Sequence, residues 1–288
     1  MKVETAKSAG FCFGVSRAVN LVYEQTELAE GPVYTIGPII HNEQVVEDLF
    51  RKGVRILDED LLTEDGISPD ISSTVIIRSH GVTKAVYEKL LSAGCRIVDA
   101  TCPFVQKIHD IVRKESSSGH PVIIIGNPNH PEVLGIRGWT VGPCAVVSNE
   151  EDAERLTLPK ERQICIVSQT TFNFRKFQEL VEIVENLGYS VVVTNTICNA
   201  TKERQKDSME LAERSDMMIV IGGKNSSNTQ KLFDICKSRC SECYYIQTAE
   251  DLEGIHFDSR KNIGITAGAS TPNSIIQEVS QHVRRAEL

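Results

Sequence analysis

At 288 residues, with 41% hydrophobic and 24% charged side chains, the chain has the composition of a globular protein able to bury a sizeable core. A formal charge of −8 argues against nucleic acid or an anionic membrane as the main partner. It leaves room for a small anionic substrate, because helix N-termini bind phosphate without a positive surface.

The chain opens on MKVETAKSAG, which holds no cleavable apolar segment, and no later run is long enough for a membrane span. A cytoplasmic protein is the expectation. A β-like run around Val3 leads to Cys12, set between Phe11 and Phe13 with Gly10 and Gly14 outside them. Val15, Val19 and Val22 then carry a helical period. The run VYTIG ends at Gly37 and is followed by His41; VRIL and VIIRSHGV follow, the latter carrying His80 in its polar end. RIVDATCPFVQKIHDIV then places Cys102 between a strand and a helix, as SVVVTNTICNATKERQKDS does for Cys198.

These segments form a repeat. Cys12, Cys102 and Cys198 lie 90 and 96 residues apart, each after a β-like run and before a helical one. Each is followed by a β-branched run ending in Ile-Gly, at Gly37, Gly126 and Gly222, and four residues later come His41, His130 and Ser226. A second run follows in each copy (VRIL, AVVSN, YYIQT), then a third that ends in a polar loop at His80, Thr170 and Ser270. The glycine-to-loop distances are 43, 44 and 48 residues.

Strands alternating with helices predict small parallel sheets covered on both faces, with ligand-binding loops at the carboxyl ends of the strands. The expected fold is α/β: three pseudo-threefold-related α/β/α domains around a central site. The repeat bounds them at 13–100, 101–196 and 197–288. The last copy lacks a strand leading to a cysteine, and residues 1–12 are expected to supply it.

Nine cysteines, an odd number, are not a disulfide framework in a reducing compartment. Three thiolates converging from three repeats would bind an iron–sulfur cluster or zinc. The alternative is three buried packing cysteines. CKSRCSEC (Cys236, Cys240, Cys243) imitates a cluster-binding spacing but runs along a predicted helix without a counterpart in the other repeats. Cys95, Cys144 and Cys165 sit in apolar or turn contexts and read as packing residues.

The polar loops offer His41, His80, His130, Glu132, Thr170, Thr171, Ser226, Ser227, Asn228 and Ser270. Imidazoles, hydroxyls, amides and helix N-termini suit a diphosphate, while no Walker or G-x-G-x-x-G pattern marks a nucleotide site. A carboxyl such as Glu132, facing a desolvated cavity, would hold its proton and could donate it. A zinc hydrolase of a phosphorylated metabolite and a non-enzymatic iron–sulfur sensor are the alternatives that these residues leave open.

AGFCFGV, HN at 41–42, SHGV, DATCP, HPEV, QTT, ICNAT, KNSSN and TAGAS, in this order, resemble the LytB family of 4-hydroxy-3-methylbut-2-enyl diphosphate reductases of the non-mevalonate isoprenoid pathway. Arg78, before SHG, departs from relatives with a smaller residue there. The resemblance implies one 4Fe-4S cluster held by Cys12, Cys102 and Cys198, with a three-iron form after oxidative loss of the iron that lacks a protein ligand. It implies Glu132 and His130 in proton delivery and Thr170 on the substrate hydroxyl. It also implies His41, His80, His130, Ser226, Asn228 and Ser270 on the diphosphate, with lesser roles for Thr171 and Ser227. The implied partners are the allylic diphosphate and a one-electron donor such as ferredoxin or flavodoxin; neither nucleic acid nor membrane is expected.

Overall fold

The structure, a computed structural model, describes residues 2–59, 72–258 and 261–285. Its elements run β1 (Lys2–Thr5), α1 (Phe13–Leu28), β2 (Val33–Ile36), α2 (Glu43–Arg51), β3 (Arg55–Leu57), β4 (Thr74–Ile77), α3 (Lys84–Ser92) and β5 (Arg96–Asp99). The middle of the chain forms α4 (Pro103–Ser117), β6 (Val122–Ile125), α5 (Pro131–Gly138), β7 (Cys144–Val147), α6 (Glu150–Glu154), β8 (Ile164–Ser168), α7 (Phe174–Asn186) and β9 (Val191–Val193). The last part forms α8 (Asn199–Glu213), β10 (Met217–Ile221), α9 (Ser227–Lys237), β11 (Cys243–Ile246), β12 (Asn262–Ala267) and α10 (Asn273–Arg285).

The strands form three four-stranded parallel sheets ordered β3-β2-β4-β5, β7-β6-β8-β9 and β11-β10-β12-β1. This is the α/β architecture that the repeat predicts, with one strand order used three times. In the third sheet β1 lies beside β12 in parallel register, Val3 opposite Ile263.

The chain separates into two compact units. One comprises Met1–Ser16, His41–Glu47 and Cys198–Leu288 and holds the β11-β10-β12-β1 sheet. The other comprises Arg17–Ile40 and Asp48–Ile197 and holds the remaining two sheets.

Composition explains which strands are central. β6 (VIII), β8 (ICIVS) and β10 (MMIVI) are buried along their whole length, as a strand covered on both faces must be. Their side chains alternate between two cores. Ile123 and Ile125 pack with Phe177, Leu180 and Val184 of α7, whereas Val122 and Ile124 pack with Ile108 and Val112 of α4 and Val133 and Ile136 of α5. In the first unit Ile219 and Ile221 meet Val279 and Val283 of α10, while Met218 and Val220 meet Leu211 of α8 and Leu232 of α9. Polar residues at strand ends double as helix caps: Thr83 caps α3, His130 α5, Asn173 α7 and Ser226 α9. Among the described residues, no helix is long and apolar enough to cross a membrane.

Ile219 is fully buried in the central strand β10. Ile219→Ala is expected to cost about 2–5 kcal/mol in urea unfolding through lost transfer energy and the cavity left behind. Val192→Ala, on the exposed edge strand β9, should change stability by less than about 1 kcal/mol in the same measurement.

Candidate active site

All three repeat cysteines open a helix after the edge strand of their sheet. In the first unit the Cys12 carbonyl accepts from Ser16 N at 2.9 Å and so starts α1, while Cys12 N donates to Ala269 O at 3.3 Å. Cys198 is the N-cap of α8, in extended geometry (φ −63°, ψ 139°), and its carbonyl accepts from Thr201 N at 2.9 Å. In the second unit Cys102 is the N-cap of α4, followed by Pro103, which suits the first helical position. Cys102 N donates to Ser79 O at 3.0 Å, tying the cysteine to the SHG loop. All nine cysteines lack disulfides, and these three are half-buried.

The first unit also gathers His41, Ser226, Asn228 and Ser270. Ser270 Oγ donates to His41 O at 3.0 Å and lies 3.5 Å from Ser226 Oγ. Ser226 caps α9, accepting from Thr229 N at 3.2 Å and Thr229 Oγ1 at 2.9 Å. Asn228 is buried in the first turn of α9, and its Nδ2 has no protein partner. Buried donors at a helix N-terminus are the chemistry of an anion site. Ser227, the first residue of α9, is half-buried.

The second unit brings His80, His130, Glu132 and Thr170 together. The His80 and His130 rings meet edge to face at 5.3 Å between centroids. His130 Nδ1 accepts from Glu132 N at 3.1 Å, which assigns the remaining proton of a neutral ring to Nε2. Glu132 is fully buried, its carboxyl accepting from Thr170 N at 2.6 Å and Thr170 Oγ1 at 2.7 Å. Burial pushes its pKa up and outweighs the two hydrogen bonds from Thr170, which pull it down. Thr171, half-buried, follows on the same loop.

Four supporting residues had no role assigned from the sequence. Gln169 is fully buried; its Oε1 accepts from Asn127 N at 3.1 Å, linking the QTT and NPNHPE loops. Arg17 grips the Asp99 and Thr101 carbonyls, each at 3.1 Å, just ahead of Cys102. Arg204, on α8, is buried and donates to Gly10 O at 2.7 Å. His109, on α4, stacks on Trp139 with 5.5 Å between centroids and 18° between planes. It lies under the SHG turn, where Gly81 has φ +73° and a Cβ would come within 2.7 Å of His109 Cε1, so only glycine fits. Gln169 had a sequence signal, its place at the head of the QTT motif.

The other cysteines are core residues. Cys95, Cys165, Cys236 and Cys240 are buried in apolar clusters, and Cys144 and Cys243 pack against two of them. Burial pushes the thiols of Cys236 and Cys243 up to about 12 and that of Cys165 up to about 11. Cys236 Sγ donates to Ser208 O and Cys240 Sγ to Glu242 O, so the CKSRCSEC thiols are protonated packing groups.

A parallel α/β protein with a cysteine at the same helix-opening position of each sheet is an uncommon class. The sequence pattern of the family described as "LytB protein" matches residues 3–284. A protein of Caldanaerobacter subterraneus is 43% identical over 285 residues, covering 99% of this chain and 97% of its own. One of Geobacter sulfurreducens is 43% identical over 284 residues, covering 99% and 97%. Both are named 4-hydroxy-3-methylbut-2-enyl diphosphate reductase. A solved structure of (E)-4-hydroxy-3-methyl-but-2-enyl diphosphate reductase, described as the terminal enzyme of the non-mevalonate pathway, is 41% identical. It has a TM-score of 0.71 and covers 99% of this chain and all of its own. The structure of E-1-hydroxy-2-methyl-but-2-enyl-4-diphosphate reductase from Plasmodium falciparum is 29% identical, with a TM-score of 0.88 over 99% of this chain and 87% of its own. The chain belongs to the LytB family.

Burial lowers the His109 pKa to about 4, with Asp99 and Asp110 opposing the shift. Between about 4 and 6.5 the unfolded chain binds a proton that the native protein refuses. The contribution of His109 to stability is therefore complete above 6.5 and falls as the pH drops toward 4, by up to roughly 3 kcal/mol. Denaturant melts across this range should show the decline, and His109→Gln should flatten it.

Proposed function

We propose that the chain reductively removes the hydroxyl of 4-hydroxy-3-methylbut-2-enyl diphosphate. Two electrons and two protons are consumed, and isopentenyl or dimethylallyl diphosphate and water are released. One observation carries the reading: three cysteines occupy one topological position, each opening a helix after the edge strand of its sheet. In this proposal the repeats bounded at 13–100, 101–196 and 197–288, the last completed by 1–12, each contribute one ligand to a shared site.

Cys12, Cys102 and Cys198 would hold a 4Fe-4S cluster. The donor set fits: the three thiols sit at helix N-termini, and the buried cation Arg204 feels Cys12 and Cys198 as its leading negative neighbours. When bound, the cluster supplies electrons one at a time and a Lewis-acidic iron for breaking the C–O bond. A small one-electron carrier of the ferredoxin or flavodoxin class would deliver the electrons.

Burial raises the Glu132 pKa and so favours its protonated form over the carboxylate. Glu132 can give that proton to the departing oxygen and recover it through His130, whose ring holds one exchangeable proton. Thr170 fixes both carboxyl oxygens with its N–H and O–H, so the carboxyl cannot rotate away. The diphosphate would lie on His41, Ser226, Ser227, Asn228 and Ser270 at the N-terminus of α9, with His80 and His130 supplying imidazole donors.

Anaerobically prepared protein should be brown and hold iron and sulfide near four of each per chain, a content set by the cluster type. Cys12→Ser, Cys102→Ser and Cys198→Ser should each lose it, and a colourless wild type after reconstitution would overturn the reading. Glu132→Gln should retain the cluster and the substrate KM while kcat falls about 10²- to 10⁴-fold, the usual worth of a positioned proton donor.

A further inference from the structure

Arg204 is not among the residues that touch substrate in the reading above, yet it occupies an exceptional place. It lies in the second turn of α8, six residues after Cys198, with 3% of its surface exposed. Its Nη2 donates to Gly10 O at 2.7 Å, two residues before Cys12, and its Nη1 lies 3.5 Å from Ala200 O, two residues after Cys198. One guanidinium thus spans the backbones that carry two of the three repeat cysteines. A second contact closes the same gap one turn along: Asp207 Oδ2 accepts from both Ser8 N and Ser8 Oγ at 2.8 Å. Gly10, held between them, takes φ +104°, and a Cβ there would meet Asn273 Oδ1 at 2.6 Å. The loop before Cys12 is therefore fastened to α8 from one side and backed by α10 on the other.

The electrostatics are unusual as well. Among the described residues Arg204 Nε has no hydrogen-bond partner, and the guanidinium contacts two neutral carbonyls. A buried cation left in that state is costly unless negative charge stands nearby. When they carry negative charge, Cys12 and Cys198 are the neighbours that most favour its charged form, ahead of Glu203 and Asp207. A guanidinium cannot relieve the cost by giving up its proton. An anionic group on the two thiols would.

We propose that Arg204 is the positioning residue that locks Cys12 to Cys198, and that its buried charge raises the reduction potential of the group these cysteines hold. The proposal rests on the ligand reading above. Each reduction adds one electron to an already negative group, so a fixed cation in a poorly screened interior stabilises the reduced form. Lysine would preserve the charge but not the span, because an ammonium on a flexible stem cannot fork between Gly10 O and Ala200 O. Glutamine would remove the charge.

The test compares wild type, Arg204→Lys, Arg204→Gln and the exposed control Arg175→Gln, all reconstituted with iron and sulfide. The midpoint potential is read by redox titration, and amide exchange of residues 8–13 is read with and without the metal. Arg204→Gln should move the potential to more negative values, while Arg204→Lys and Arg175→Gln stay at the wild-type value. Both Arg204 variants should exchange faster at 8–13, in either metal state, with the rest of the chain protected as in wild type. An unshifted potential in Arg204→Gln overturns the electrostatic role, and unchanged exchange at 8–13 overturns the positioning role. A wild type that takes up no iron and sulfide overturns the ligand reading and the potential claim together. Exchange in the metal-free protein then still decides the clamp.

Discussion

Central parallel strands packed on both faces admit a polar side chain only where a hydrogen-bond partner waits, as Ser208 does for Thr266 of β12. In β6, β8 and β10 every residue is buried, so hydroxyls, imidazoles and carboxyls are displaced to the ends of the strands. At those ends the chain must turn into a helix and satisfy that helix's unpaired N–H groups. The residues best suited to capping are short polar ones, the same types that recognise an anion. His130 and Ser226 do both at once: each caps its helix through its side chain and stands among the proposed ligand-binding residues. The chemistry of the site thus grows out of a packing constraint that three sheets share.

The same constraint explains Glu132. A carboxyl at the first turn of a helix would ordinarily ionise, because the helix N-terminus favours negative charge. Here it is fully buried and held by a single neighbour, Thr170, through both oxygens. Desolvation prevails, since two hydrogen bonds do not replace the water that a carboxylate requires. The result is a carboxyl fixed in direction whose protonated form is favoured. His109 titrates the other way for the same reason: burial favours the neutral form of acid and base alike.

The cysteines separate along a related line. Six of them have apolar surroundings, and where a thiol's pKa is displaced by burial it moves upward, away from reactivity. Cys12, Cys102 and Cys198 open helices and stay half-buried, with backbone contacts fixing the loops around them. Arg17 and Arg204 reinforce those loops by gripping backbone carbonyls, a device indifferent to the side chains it passes. Such contacts hold a thiol in place without occupying its sulfur.

Much of this was legible in the sequence. A strict four-run repeat with cysteines at one phase is a periodicity, and periodicity survives translation into structure because strands, turns and caps are local. The parallel sheets, the helix-opening cysteines and the loops bearing His80, His130, Thr170, Ser226 and Ser270 followed from it. CKSRCSEC was separable from the repeat cysteines because it lacked counterparts in the other repeats. What the sequence could not disclose depends on distance across the fold. The Glu132–Thr170 pair joins residues 38 apart, Ser8 meets Asp207 across 199 positions, and Arg204 reaches Gly10 across 194. No local pattern encodes such contacts, because they exist only after helices dock on sheets and exclude water. The sequence by itself determined which groups the protein carries and in what order. Tertiary structure decided which of them are desolvated, and desolvation sets their charge.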